Sequence, residues 1–291
     1  MPKEAVSAGA KNEEDAEKMI KQGPRFFEDK ASHAEGVGDQ YCKAGRLYAI
    51  DKEWQKSGDA FCKSNTWYAK SQDPELADNT IFQASRSYRH GCTDDYLRTM
   101  DHVISSAAAR GIFSRAGSYQ QEVAAYYETE VKDLGMAMIE YDQAASFYAM
   151  EGNSILIGGC LEKAGQMAAR TQQYEFAAQT FDKVGVEALK SPLSRIRFSG
   201  ICLSAGLCHI AAGDIDAANK AISCYGIMDV SVHSTRDCCF LYAILEAVQE
   251  NDVEKFIHCT SEYTVVVTLE QWKTQLLVHI KTLINSEDSL L

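Results

Sequence analysis

Small-residue pairs return along this chain every 40 residues. Ala44-Gly45, Ala84-Ser85, Ala124-Ala125 and Ala164-Gly165 keep one register, and Ala205-Gly206 follows one residue late. An aromatic residue comes soon after, as Tyr48, Tyr88 and Tyr127 do. Small residues let two helix backbones approach closely, and an aromatic one turn later fills the gap beside them. A second set of marks lies between: Ala60-Phe61, Ala144-Ala145 with Phe147-Tyr148, and Ala177-Ala178 with Phe181. These read as the partner helices. Turn signals separate the two sets at Asp73-Pro74, Gly91, Gly111, Gly117, Gly152-Asn153, Gly185, Ser191-Pro192, Gly213-Asp214 and Gly226. The intervals, about 15–18 residues, suit globular helices. Each repeat unit is therefore two helices and two turns.

Gly45-x-x-Tyr48 resembles part of the tetratricopeptide pattern, on a period longer than its usual ~34 residues. Longer helices explain the difference. The predicted fold is all-α: a right-handed solenoid of tetratricopeptide-like helical hairpins with a period of about 40, capped by a C-terminal helical bundle. Residues 1–190 are expected to form the hairpin array and 191–291 the bundle. Such an array leaves a concave groove suited to long partners. The alternatives are another helical-repeat scaffold, such as a chaperone adaptor clamping peptide carboxylates, and a closed all-α enzyme core. The first needs a shorter repeat. The second needs a catalytic cluster.

Composition narrows the class further. Of 291 residues, 46% are hydrophobic and only 4 are proline, so long helices around a sizeable core are possible. No run of apolar residues is long enough to span a membrane. The first residues, through Gly23, lack the apolar stretch of a secretory signal. The 10 cysteines include no C-x-x-C pair, which speaks against a zinc ribbon or redox motif. They read as reduced core thiols of a cytoplasmic protein, and the adjacent Cys238-Cys239 reads as core plus surface, not a disulfide. The net charge is −12, and residues 201–291 hold 12 acidic against 5 basic side chains. That balance argues against nucleic acid. It suits a basic protein partner, or a merely solubilising surface.

No constellation for catalysis emerges. The seven histidines form no H-x-x-x-H pair and no H-E-x-x-H motif. His209, beside Cys208 on an apolar face, reads as a packed core histidine. Gly36-Val37-Gly38 begins like a dinucleotide loop, but Tyr41 takes the third glycine position, and the segment reads as a turn. There is no phosphate-binding loop. Glu128, Glu130 and Asp133 read as a solvated helix end. No nucleophile has its base, so no enzyme, no cofactor and no metal site is expected.

Both ends carry features of their own. Gly23-Pro24 ends the first helix and leaves Arg25-Phe26-Phe27 in a loop near 24–36. The two rings are either tucked under the next helix or exposed to a membrane or partner. Burying both in lipid would contribute roughly 3–5 kcal/mol at most, useful once a partner is bound nearby. Near the C-terminus Leu269, Trp272, Leu276, Ile280 and Leu283 share one helical face, and Asn285-Ser286 is expected to end that helix. The tail Glu287-Asp288-Ser289-Leu290-Leu291 either frays or inserts its apolar tip into a partner.

Across almost the whole chain these features resemble the soluble NSF attachment proteins of the α type. The likeness is carried by Ala60-Phe61-Cys62, Tyr127-Glu128-Thr129-Glu130, Ser191-Pro192-Leu193, Leu207-Cys208-His209, Leu245-Glu246-Ala247 and Leu269-x-Gln271-Trp272. The resemblance implies a non-enzymatic, cytoplasmic adaptor, peripherally associated with membranes and serving vesicle-mediated and ER–Golgi transport. Several copies would wrap the SNARE four-helix bundle with a basic concave face, and their C-terminal ends would recruit the hexameric ATPase NSF for SNARE disassembly. It places Lys52, Arg89, Lys163 and Arg195 on the basic face. Other basic positions of the family fall on Ile112, Ser118 and Gly159, with Arg115 and Arg197 close enough to compensate. Glu246 and Glu250 match the acidic ATPase-binding patch, one position of which is Gln249, with Asp252 and Asp214 nearby. Leu290 matches the leucine that stimulates the ATPase, and Leu291 stands where arginine is frequent. Phe26 and Phe27 match the membrane-contact loop, although Glu28-Asp29-Lys30-Ala31 replaces its Gly-Leu-Phe-Gly run.

Overall fold

The computed structural model describes residues 7–71 and 73–287. Among these, fifteen α-helices and no strand are seen. They are α1 (Ala8–Gln22), α2 (Lys30–Ile50), α3 (Trp54–Ser71), α4 (Pro74–Tyr88), α5 (Thr93–Ala109), α6 (Phe113–Tyr126), α7 (Leu134–Ala149), α8 (Ser154–Arg170) and α9 (Tyr174–Leu189). Then follow the short α10 (Pro192–Arg195), α11 (Phe198–Ala211), α12 (Ile215–Met228), α13 (Arg236–Gln249), α14 (Val253–Val266) and α15 (Gln271–Glu287). The chain gathers into two units, one ending at Tyr119 and one starting at Gln120, so the division falls inside α6.

The turns explain the hairpins. Several helices end on a residue in the left-handed region, followed at once by an Asp or Asn that caps the next helix. Lys132 (φ 62°) precedes Asp133, which accepts from the Met136 amide at 3.0 Å. Gly213 precedes Asp214, and Asn251 precedes Asp252, in the same arrangement. Each cap satisfies an otherwise orphaned amide and contributes about 1 kcal/mol.

The five small-residue pairs sit in α2, α4, α6, α8 and α11, one in each first helix of a hairpin, and the leading alanine of each is buried. The aromatics do not fill the gap beside their own pair, as the spacing suggested. They reach to a neighbouring helix instead. The ring against Gly45 is Phe61, and the ring against Gly165 is Phe181. Tyr88 lies on Gly58 of α3, and a Cβ there would come within 2.3 Å of its ring. The hydroxyl of each such tyrosine then finds a carboxylate one residue beyond the glycine. Tyr68 stands over Gly38 and donates to Asp39 at 2.5 Å, and Tyr88 donates to Asp59 at 2.6 Å. Tyr48 reaches back to α1 and donates to Glu13 at 2.8 Å; burial and that carboxylate push its hydroxyl up to about 12.

In the second unit α11 is buried nearly all round and receives α9, α12, α13 and α15, which makes it the centre of a helical bundle. Trp272 of α15 stacks on Phe181 of α9 at 5.5 Å, and Leu276 and Ile280 follow it into the same core. Tyrosine–carboxylate contacts recur here: Tyr141 to Glu128, Tyr225 to Asp182, and Tyr263 to Asp237, at 2.6 to 2.9 Å.

Some local expectations fail for one reason. Gly117, Gly185 and Gly226 lie inside α6, α9 and α12, and Gly36-Val37-Gly38 lies inside α2. Gly185, Gly226, Gly36 and Gly38 seat a side chain from elsewhere: Phe198, His233, Met19 and Tyr68 respectively. In these helices glycine marks a close approach rather than a bend. The last helix also runs past Asn285-Ser286 to Glu287.

Candidate partner-binding surfaces

The loop between α1 and α2 exposes Phe26 and Phe27 almost completely, at 95% and 96%. It is a tight turn. The Glu28 amide donates to the Arg25 carbonyl at 2.9 Å, which leaves the two phenylalanines as its central residues. The Glu28 carboxylate accepts from the Arg25 amide at 3.0 Å and lies 3.5 Å from Nδ1 of the buried His33. Asp29 then caps α2 through the Ser32 amide, which holds its carboxyl below the usual range. The rings meet edge to face at 5.0 Å. A turn locked on both sides thus presents an aromatic tip to solvent, an arrangement that suits a lipid interface or an apolar partner.

The basic residues are divided between the units. Lys52, Arg89 and Arg115 belong to the first. Lys52 is exposed in the left-handed turn after α2, and the half-buried Arg89 caps α4. Trp54 stacks on His90 at 4.1 Å, which brings those two turns together. Arg115 lies on the first turn of α6, beside Glu75 and Asp78 at a cavity of about 200 Å³.

Lys163, Arg195 and Arg197 belong to the second unit, and each is engaged by a carboxylate. Lys163 lies 3.3 Å from both oxygens of Glu128, which also faces Arg170 at 3.7 Å. Glu128 is therefore no solvated helix end. A π-helical turn, Tyr127–Val131, carries it toward Tyr141 and Lys163. Arg197 donates to Glu162 at 2.6 and 2.8 Å, and Arg195 donates to Asp229 at 2.7 Å. That guanidinium, with Ser231, pulls the Asp229 carboxyl down to about 2. Its contribution to folding is present above the ordinary value of 3.8 and is lost as the pH falls toward 2. Internal pairing mutes the positive field that these side chains would otherwise project.

The acidic residues gather more tightly. Glu246 and Glu250 both contact Lys255, at 3.1 and 2.7 Å, and Asp252 caps α14 by accepting the Lys255 amide at 2.9 Å. Lys255, which no sequence pattern singled out, thus organises three carboxylates around the α13–α14 turn. Glu250, and then Glu246, raise its ammonium pKa in turn. Asp214 caps α12 at another turn and lines a polar cleft of about 610 Å³ with Glu175, Gln179 and His209. Leu290 and Leu291 lie outside the described residues. Among the described residues no cluster of histidine, cysteine or acidic side chains could hold a metal ion. No described helix is long and apolar enough to cross a membrane.

Helical hairpins stacked within each unit, with an aromatic tip and an acidic turn exposed, define a helical-hairpin repeat protein. Comparison with known proteins makes the class specific. The family model "Soluble NSF attachment protein, SNAP" matches residues 7–285, and the chain belongs to that family. It is 29% identical to the alpha-soluble NSF attachment protein of Vitis vinifera over 283 residues, 97% of this chain and 96% of the relative. The alpha-soluble NSF attachment protein of Mus musculus is 26% identical over 277 residues, 94% of each chain. The vesicular-fusion protein SEC17 of Komagataella phaffii is 25% identical over 268 residues, 91% of this chain and 90% of the relative.

Proposed function

We propose that this chain is a non-enzymatic adaptor that binds assembled SNARE complexes and recruits and stimulates the ATPase NSF, which takes them apart in vesicle fusion and intracellular transport. The observation that carries this reading is the span of the family match, which runs through both units from residue 7 to 285. Residues 1–190 would form the array that faces the four-helix bundle, and 191–291 the bundle that faces the ATPase. Lys52, Arg89, Arg115, Lys163, Arg195 and Arg197 would attract the acidic SNARE surface. Lys163, Arg195 and Arg197 would have to trade an internal carboxylate for one on the partner, so each contributes little, and attraction sums over the face. Glu246, Glu250, Asp252 and Asp214, with Leu290 and Leu291, would hold the ATPase. Phe26 and Phe27 would touch the membrane from its cytoplasmic side and raise the local concentration.

The test is reconstitution. Protein, NSF, an assembled SNARE complex and ATP are mixed, and disassembly is followed. Acceleration over NSF alone is expected, and its absence sinks the reading. Leu290→Ala should keep SNARE binding and lose the stimulation of ATP hydrolysis; unchanged hydrolysis would remove the tail from the mechanism. Charge reversal at Arg89 and Lys163 together should weaken SNARE binding, and more so at low salt. Equal losses at low and high salt would show that long-range attraction is not their role.

A further inference from the structure

We propose that the cleft between α9, α11 and α12 is a binding site for a small, uncharged, ring-sized apolar molecule. Both α9 and α12 pack on α11, and between them remains a cavity of about 210 Å³. Its walls include the buried Phe181 and Phe198, and its mouth lies between the exposed Val186 and Met228. Ala205 and Ala221 line the space with side chains too short to fill it, while Gly185 lets the Phe198 ring close one wall. An apolar cavity of about 150 Å³ in another protein stays dry and takes up benzene. The present volume suits a fused pair of rings such as indole.

Three further observations favour such a ligand over water or a charged group. First, the polar groups at the edge are already paired. Asp182 accepts from the Tyr225 hydroxyl at 2.6 Å and lies 2.9 Å from Nε2 of His209. A water inside would therefore find few partners. Second, Asp182 is the one ionisable acid or base among the cavity's lining residues other than cysteine and tyrosine, and its charge repels an anion. A cation would lose its hydration in apolar surroundings, and the one carboxylate at the edge already holds Tyr225 and His209. Third, the deep wall is stiff while the mouth is soft. Phe181 is fixed between Gly165 and Trp272, whereas Met228 can swing. None of the side chains lining the cavity is a proposed partner contact, so the site stands or falls apart from the adaptor reading.

Cys224 is exposed and lines the cavity, while Cys239, also exposed, does not, so the chain carries its own control. The experiment titrates the full-length protein with indole by calorimetry and follows iodoacetamide alkylation of both cysteines by mass spectrometry. Saturable binding is expected. At ten times the dissociation constant Cys224 should react about tenfold more slowly, and Cys239 at its original rate. Indole-3-acetate should not compete. Ala221→Phe fills the space from its mouth and should weaken indole about tenfold. Met228→Trp, at an exposed position, gives a second blocking variant whose melting temperature should stay that of the parent. The proposal is overturned by absence of saturable binding up to the solubility limit. Equal protection of both cysteines, or parental affinity in the folded blocking variants, overturns it as well.

Discussion

Replacing Gly58 with alanine is expected to destabilise the N-terminal unit by about 3 kcal/mol, against a gain of about 1 kcal/mol that alanine brings to an ordinary helix interior. The added methyl would lie 2.3 Å from Cε1 and 2.4 Å from Cζ of Tyr88. That ring is 1% exposed, and its hydroxyl is fastened to Asp59 at 2.6 Å, with the Cys62 sulfur at 3.7 Å. It cannot swing aside without losing its seat and its hydrogen bond together, so α3 and α4 must separate. Urea or thermal melting measures the effect, and a parental midpoint would refute it. Gly159 supplies the contrast. It is exposed in α8 with nothing within 4 Å of an added Cβ. Gly159→Ala should be neutral or slightly stabilising. Combining Gly58→Ala with Tyr88→Leu should recover part of the loss, since the ring edge that causes the clash is gone.

A second large effect is expected at the aromatic tip, and it should leave stability untouched. With both rings almost wholly in solvent, Phe26→Ser with Phe27→Ser removes no core contact. Under the proposed membrane role it should lower affinity for neutral phosphatidylcholine vesicles about a hundredfold, somewhat less than full burial of two rings would give. Disassembly of SNARE complexes should slow on liposomes and stay unchanged in solution. Equal loss in both settings would assign the loop to a protein contact instead. Neutral lipid is the informative choice, because the chain's net charge of −12 opposes binding to an anionic surface.

The hairpin array is legible in the sequence because its cause is local. A small residue every second helix is enough to set the period, and Asp or Asn after a left-handed residue is enough to start the next helix. Glycine is where such reading misleads. Gly91, Gly111, Gly152 and Gly213 do end helices, with positive φ, whereas Gly185 and Gly226 are interior. The two kinds differ only in what lies opposite, and that is a fact of tertiary packing. The pairing of Tyr68 and Tyr88 with the Gly-Asp dipeptides 38–39 and 58–59 is visible afterwards as a repeated offset, yet nothing in one helix alone announces it. The candidate surfaces divide the same way. An aromatic pair after Gly-Pro reads as a loop from composition alone, but its exposure does not. The basic residues can be located by likeness to the family, while their neutralisation by Glu128, Glu162 and Asp229 depends on how α8, α10, α11 and the segment after α12 align across roughly 35 residues of chain. Lys255 organises its acids across a turn, and any lysine of the acidic third would have read the same.

The seats and rings of the N-terminal unit are asymmetric. From α1 to α3 each helix offers a glycine to its successor, and from α2 to α4 each returns a tyrosine or phenylalanine to its predecessor. Such a unit fits head to tail with its copy but not with itself. An in-frame duplication of one hairpin therefore adds one socket and one plug at once, and the lengthened chain closes without new chemistry. A deletion of half a hairpin would still set a plug against a socket, but it would reverse the direction of every helix after it. Growth and loss in such an array should accordingly proceed in whole hairpins.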